Sequence, residues 1–246
     1  MSAPYRPVTL DESAQLLAMS YRLRYQSFCL ERLFFSKDDY PSQLESDAFD
    51  GASVHVGVLN AEDELVGTAR IVTRSEAGLP MFRFCTLFPG DTTLTNPANT
   101  VVELSRVCLS RRSSRRQGLG SGSPDELALD PRRLSHIPGG PSTDPFAALI
   151  KVVYQTTKRM HVTHWVVAVE KALRRRLTRY GLPFRQAGPE VDYFGPVAPY
   201  VLSLAELDDV ILRHEYPSLD ELFVGLEPEY WPAPLSEAGR LRVKSS

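Results

Sequence analysis

Apolar and polar positions alternate between two periods along the chain. Residues up to about Leu10 are Pro-rich and read as irregular. From Asp11 the period is helical: Leu17, Tyr21, Arg24, Phe28 and Glu31 recur at spacings of four, three, four and three, on one helical face. Asp11 or Ser13 stands where a cap is needed. Residues 36–52 are polar, carry Pro41 and several acids, and read as a loop crossing over something else. Ser53–Leu59 and Leu65–Thr73 then alternate with period two about the turn Asn60-Ala61-Glu62-Asp63, the pattern of an antiparallel hairpin. Residues 100–110 predict a third strand, with Val102, Leu104, Arg106 and Cys108 on one side and Glu103, Ser105 and Val107 on the other.

Residues 111–144 hold prolines, glycines and serines with little periodicity and predict a long flexible loop. Asp144-Pro145 then opens a helix as cap and first residue. Phe146, Leu149, Ile150, Val153, Tyr154, Thr157 and Met160 form its stripe. Residues 164–169 are almost wholly apolar, as for a buried central strand. A basic helix over 170–180 is stopped by Gly181. Short strands near 184–187, 191–194 and 198–203 follow, then a helical region from about Ser203. No internal repeat is present. The order of elements predicts one α/β domain over residues 1–246, built on a mixed sheet flanked by helices.

Composition narrows the class. The 246 residues are 43% hydrophobic and 24% charged, with no run near the roughly 18 apolar residues of a membrane helix. The first residues lack the apolar stretch of a secretory signal. Cys29, Cys85 and Cys108 are odd in number and widely spaced, unlike a disulfide framework or a zinc ribbon. A soluble, cytoplasmic protein is expected. The net charge of -2 argues against coating nucleic acid. Basic residues nevertheless cluster locally, at Arg106, Arg111, Arg112, Arg115 and Arg116 and again at Lys171, Arg174, Arg175, Arg176 and Arg179. Either these are solvated faces or they suit an acidic partner. No stacking aromatics interleave with them, as nucleic-acid binding would need.

Candidate chemistry is sparse. Arg24 lies on an apolar stripe, where its guanidinium either pairs with a carboxylate or anion or reaches past its packed stem to water. Glu103, flanked by valines and leucine, either faces a cavity as a general base or lies on an edge strand with its polar face in solvent. Arg115-Arg116-Gln117-Gly118-Leu119-Gly120 has the form of a pyrophosphate-cradling loop. Such a loop must run straight into a helix N-terminus. Here it meets Ser121-Gly122-Ser123-Pro124, so it reads as a flexible basic loop. His161 and His164 have no third partner nearby in sequence, and no metal is expected. Covalent acyl-enzyme signatures are absent.

Several segments together carry a resemblance. Tyr21-Arg22-Leu23-Arg24-Tyr25-Gln26-Ser27-Phe28-Cys29-Leu30-Glu31-Arg32, Leu44-Glu45-Ser46-Asp47-Ala48-Phe49-Asp50, His55, Gly67-Thr68-Ala69-Arg70 and Glu103-Leu104-Ser105-Arg106 come in an order that resembles the PEP-CTERM/exosortase-associated acyltransferases. Those enzymes group with N-acyl amino acid synthases and acyl-homoserine-lactone synthases on a GNAT-like fold. The resemblance resumes at His164-Trp165-Val166-Val167-Ala168-Val169-Glu170 and ends near Gly195-Pro196-Val197-Ala198-Pro199-Tyr200. Phe34-Phe35 stands where homoserine-lactone synthases carry a tryptophan, and the long segment after residue 110 is like the exosortase-associated group. The resemblance thus points away from quorum-signal synthesis but not from acyl transfer.

It implies an enzyme that moves a fatty acyl chain from the phosphopantetheine thioester of acyl carrier protein to the amine of an amino acid, with no bound cofactor. A thioester is already activated, so no enzyme nucleophile is required. The resemblance makes Glu103, Ser105 and Arg106 catalytic, Glu103 as base toward an amine whose pKa is near 8. Arg24, Arg70 and Arg106 would hold an acceptor carboxylate or brace the acidic loop, pairing with Asp47 and Asp50. Phe28 joins the substrate site, and amides around Val107 would meet the thioester oxygen. Arg111, Arg112, Arg174 and Arg175 would dock the carrier protein. The alternatives are an acetyl-CoA-dependent GNAT N-acetyltransferase and a non-catalytic module that binds carrier protein or lipid.

Overall fold

The computed structural model describes residues 5–110, 144–193, 195–216 and 219–233. Strand β1 (Arg6–Thr9) pairs antiparallel with β2 (Ser53–Leu59), which pairs with β3 (Leu65–Thr73) and β3 with β4 (Val101–Leu109). Strand β5 (His164–Glu170) is parallel to β4, and β8 (Pro196–Ser203) is antiparallel to β5. Two short strands, β6 (Arg185–Gln186) and β7 (Val191–Asp192), both pair with β8. The sheet order is β1-β2-β3-β4-β5-β8-β6, mixed and mostly antiparallel.

Arg6–Thr9 therefore form a strand where the sequence read as irregular. Pro7 sits opposite Val58 on the sheet's edge, where a missing N–H breaks no ladder on the open side. The hairpin turn forms as expected, with Asn60 Oδ1 accepting from the amides of Glu62 and Glu64.

Helix α1 (Ala14–Arg24) is capped by Ser13, whose hydroxyl accepts from Leu16 N. It passes into a π-helical stretch over Tyr25–Glu31. The wider turn rotates the inward face. Tyr25, Ser27, Phe28 and Cys29 all become buried, and the 3.6-residue stripe ends at Arg24. Helix α2 (Pro145–Arg159) starts as expected, with Asp144 accepting from Phe146 N and Pro145 in the first turn. Its stripe packs on Val56, Val58, Ile71, Val102 and Leu104 in the main core. On the opposite face, Leu10, Leu23, Phe28, Leu59, Leu65 and Cys108 form a second cluster beneath α1. Helix α3 (Lys171–Arg179) follows β5 directly, and α4 (Leu204–Leu212) follows β8. Past α3, Gly181 has φ +80 and lies so close to Tyr216 that a Cβ there would stand 2.4 Å from its ring.

Two departures from regular pairing build the site. First, β4 and β5 pair only over Val101–Glu103 with His164–Val166, although both strands run on. Beyond Glu103 they leave an opening. Second, β4 bulges: Arg70 faces Ser105 and Thr68 faces Cys108, so Ala69 opposes both Arg106 and Val107. Arg106 takes the extra place with φ 51. The expected alternation holds through Ser105 and then shifts by one at Arg106. Val107 and Leu109 turn to the α2 core, while Cys108 joins the α1 side.

Candidate active site

On the α1 side of the sheet, neighbouring strands align His55, Arg70 and Ser105 in one row. Arg24 descends from α1 and the 45–50 loop crosses over them, as its acidic composition suggested. Every one of these charges has a partner. Arg24 Nε donates to Glu45 Oε2 at 2.5 Å, and its two terminal nitrogens donate to Asp50 at 2.7 and 3.1 Å. Arg70 Nη1 reaches Asp47 at 2.6 Å and Asp50 at 3.0 Å, while its Nε donates to Ser105 Oγ at 3.0 Å. Arg106 Nε donates to Glu45 at 3.0 Å and Nη2 to Asp47 at 2.9 Å. Phe28 and Phe35 face Arg106, whose Cζ lies 5.8 and 4.7 Å from their ring centres.

Arg24 is 1% exposed, so the reading in which its head reaches water is overturned. Burial opposes the Asp50 charge, yet hydrogen bonds from His55 and Arg24 hold its pKa far below the carboxylate range. Asp47 is likewise held low, against its burial, by the Arg70 bond and by both neighbouring guanidiniums. His55 lies between Asp11 and Asp50, at 2.7 and 2.9 Å. Burial works to lower its pKa, but those bonds prevail and raise it.

Glu103 differs. It is 4% exposed, so the solvent-facing edge alternative is also overturned. Its Oε2 accepts from Met81 N at 2.8 Å. Burial raises its pKa to about 7, opposed by the Met81 bond and by the charges of Arg70 and Arg106. It stands at the last rung joining β4 to β5, where the opening begins. Ser110 N donates to Val66 O, so by alternation the amides of Val107 and Leu109 point away from β3, toward that opening. The thiols of Cys85 and Cys108 are raised by burial, Cys108 to about 12, which leaves no ready thiolate.

The structure thus brings Arg24, Phe28, Asp47, Asp50, Arg70, Glu103, Ser105 and Arg106 into one site. Val107 contributes its backbone, its side chain being turned to the α2 core. Arg106 is committed inward and is not part of a basic surface patch. Arg174 and Arg175 are exposed on α3, away from this cluster, whereas Arg111, Arg112 and the 115–120 loop lie outside the described residues. Sequence reasoning missed Glu45, fully buried between Arg24 and Arg106, and His55 in its chain of acids. Their place in an acidic segment and in a half-buried strand was the available signal. Tyr193 was also missed. Its ring stacks on Phe84 at 3.9 Å, and the charges of Arg106, Asp47, Glu103 and Arg83 act on its phenol.

Residues 23–120 match the family model described as an acetyltransferase (GNAT) domain. No curated protein matches the chain. Among solved structures it is similar to FeeM, an N-acyl amino acid synthase from uncultured soil microbes, at 15% identity and TM-score 0.51, over 83% of this chain and 93% of that one. It is also similar to BjaI, a CoA-dependent acyl-homoserine lactone synthase solved with SAM and isopentyl-CoA, at 16% identity and TM-score 0.56, over 89% and 92%. The acyl-homoserine-lactone synthase LasI aligns at 15% identity and TM-score 0.51, over 81% and 89%. The fold is GNAT-like, in the form shared by these synthases.

Proposed function

We propose that the chain is an N-acyltransferase that passes a long fatty acyl group from the phosphopantetheine thioester of acyl carrier protein to the amine of an amino acid. The observation that carries this reading is Glu103: a buried carboxyl with its pKa near 7, one backbone bond, and a place at the root of the β4–β5 opening. A base working near neutrality needs such a pKa.

In this mechanism the thioester lies in the opening with its carbonyl oxygen toward amides such as that of Val107, which stabilise the oxyanion. The neutral amine attacks the carbonyl carbon, forming the C–N bond. Glu103 takes the proton released from nitrogen, directly or through a water. Collapse of the tetrahedral intermediate breaks the C–S bond, and the departing sulfur takes a proton back from Glu103. Arg24, Arg70 and Arg106 fix the acidic loop above the site, and Ser105 orients Arg70. Exposed Arg174 and Arg175 on α3 suit an acidic carrier protein, with an attraction that weakens as salt rises. The likeness to an N-acyl amino acid synthase agrees with this reading.

A second reading, an acetyl-CoA-dependent N-acetyltransferase, is favoured by the match of residues 23–120 to an acetyltransferase model. Lipid mass spectrometry separates the two. Wild type expressed in a bacterial host should yield new long-chain N-acyl amino acids that diminish with Glu103→Gln. Their absence, with acetyl transfer from acetyl-CoA by the purified protein, would favour the second reading.

A further inference from the structure

The site's arginines hold the acidic loop, and they leave no surplus positive charge for an anionic acceptor. Arg24, Arg70, Arg106 and the raised His55 face the carboxylates of Asp11, Glu45, Asp47 and Asp50, four cationic groups against four anions. An amino acid bound with its amine at Glu103 brings a further carboxylate, which needs its own cation.

We infer that Arg83 is that cation: it binds the acceptor's α-carboxylate while Glu103 serves the amine, so the acceptor class is free α-amino acids and not simple amines or amino-acid esters. This rests on the N-acyltransferase reading. Arg83 closes the short helical turn Pro80–Arg83, the same turn whose Met81 amide binds Glu103 at 2.8 Å. Such a turn rises about 2.0 Å per residue, so Met81 and Arg83 are held at a short, fixed separation. In an α-amino acid, amine and carboxylate share one carbon, with bonds of about 1.5 Å on either side. Two hydrogen bonds of about 3 Å complete the span from base to cation, within reach of an arginine side chain.

The guanidinium is pre-oriented. Its Cζ lies 4.4 Å from the ring centre of Phe49, a buried residue between Asp47 and Asp50. A face-on contact of this kind leaves the edge N–H groups free for bidentate binding. Arg83 is exposed, and among the described residues no carboxylate pairs with it. The next residue, Phe84, stacks on Tyr193. That phenol lies within electrostatic range of both Glu103 and Arg83.

The test is a binding titration that needs no turnover, using N-dodecanoylglycine and its methyl ester as probes. Wild type should bind the acid roughly tenfold or more tightly than the ester, as a charge-assisted bidentate contact requires. Arg83→Met should bring the acid down to the ester's affinity and leave the ester unchanged, with Arg83→Lys in between. Arg213→Ala, which removes another exposed arginine, paired with Glu215 at 2.7 Å, should keep the wild-type preference. A wild type that binds neither probe or shows no preference for the acid, or an Arg83→Met that keeps it, overturns the inference. Preserved acid preference without acyl transfer from any donor would instead defeat the enzymatic reading and leave the carboxylate site standing.

Discussion

Glu103 and the trio Glu45, Asp47 and Asp50 are carboxylates on one side of one sheet, in opposite conditions. The trio meets three guanidiniums and a histidine, and its aspartates are held below their ordinary pKa. Glu103 is at least as deeply buried as the trio's Asp50, yet it accepts from a backbone amide and its pKa rises to about 7. Both of these groups are buried, so what holds Asp50 down while Glu103 rises is the set of charged donors that reaches Asp50. Saturation makes a carboxylate a fixed girder. Under-saturation makes it a group that can gain and lose a proton at neutral pH.

The comparison can be broken at either end. Glu103→Gln keeps an acceptor for Met81 N but no base, and acyl transfer should fall by about 10²–10⁴-fold, read from thiol release with acyl carrier protein as donor. Arg24→Met strands Glu45 and Asp50 without their main partner. Loss of one member of a buried ion pair costs about 3–5 kcal/mol, so denaturant unfolding should show a large drop in midpoint.

The pH dependence sharpens it. As a base, Glu103 must be ionised, so the wild-type rate should climb about tenfold per unit below pH 7 and then level toward the amine's own titration. Glu103→Gln should lose the limb near 7.

The smallest effect is on stability, and its sign is opposite in the two regions. A raised carboxyl pKa disfavours the folded state as pH climbs from the unfolded value toward about 7, for a penalty of about 3 kcal/mol when fully developed. Glu103→Gln should therefore be more stable than wild type at pH 8 by about 1–3 kcal/mol and indistinguishable at pH 4. Asp47 and Asp50, being lowered, contribute stability above the ordinary carboxylate range and lose it as pH falls through their folded values. His55, being raised, contributes below its unfolded pKa near 6.5 and loses that contribution as pH rises through its folded value. Melting curves of both proteins across pH would fail this account if the Gln variant were no more stable at pH 8.

Much of this was legible in the chain because local chemistry decides it. The Asn60–Asp63 turn, the Asp144 cap and the Gly181 stop are each set by a few adjacent residues. Arg24 and Glu103 were visible as charges in apolar settings, while Asp47, Asp50 and Arg70 were marked only by the family resemblance. Strand β1 was hidden because Pro7 disfavours a strand everywhere except at an edge, and edges are made by distant partners. The π-helical stretch and the bulge were hidden because each shifts a period by one residue without marking the composition. Glu45 was one acid among several until the fold brought Arg24 and Arg106 to it. Met81's contribution is a backbone amide, which no side chain announces.

The bulge at Arg106 makes β4 a counted length. One residue more than the ladder needs lets the strand present polar groups to one side at Glu103, Ser105 and Arg106 and then return apolar ones to the other at Val107 and Leu109. Deleting Ser105 or Arg106 would restore a regular ladder and leave Val107 and Leu109 facing the core, but the strand would then carry one polar side chain where it now carries two. Either Arg70 loses its serine partner, or Glu45 and Asp47 lose their arginine. The sheet would survive such a deletion and the site would not.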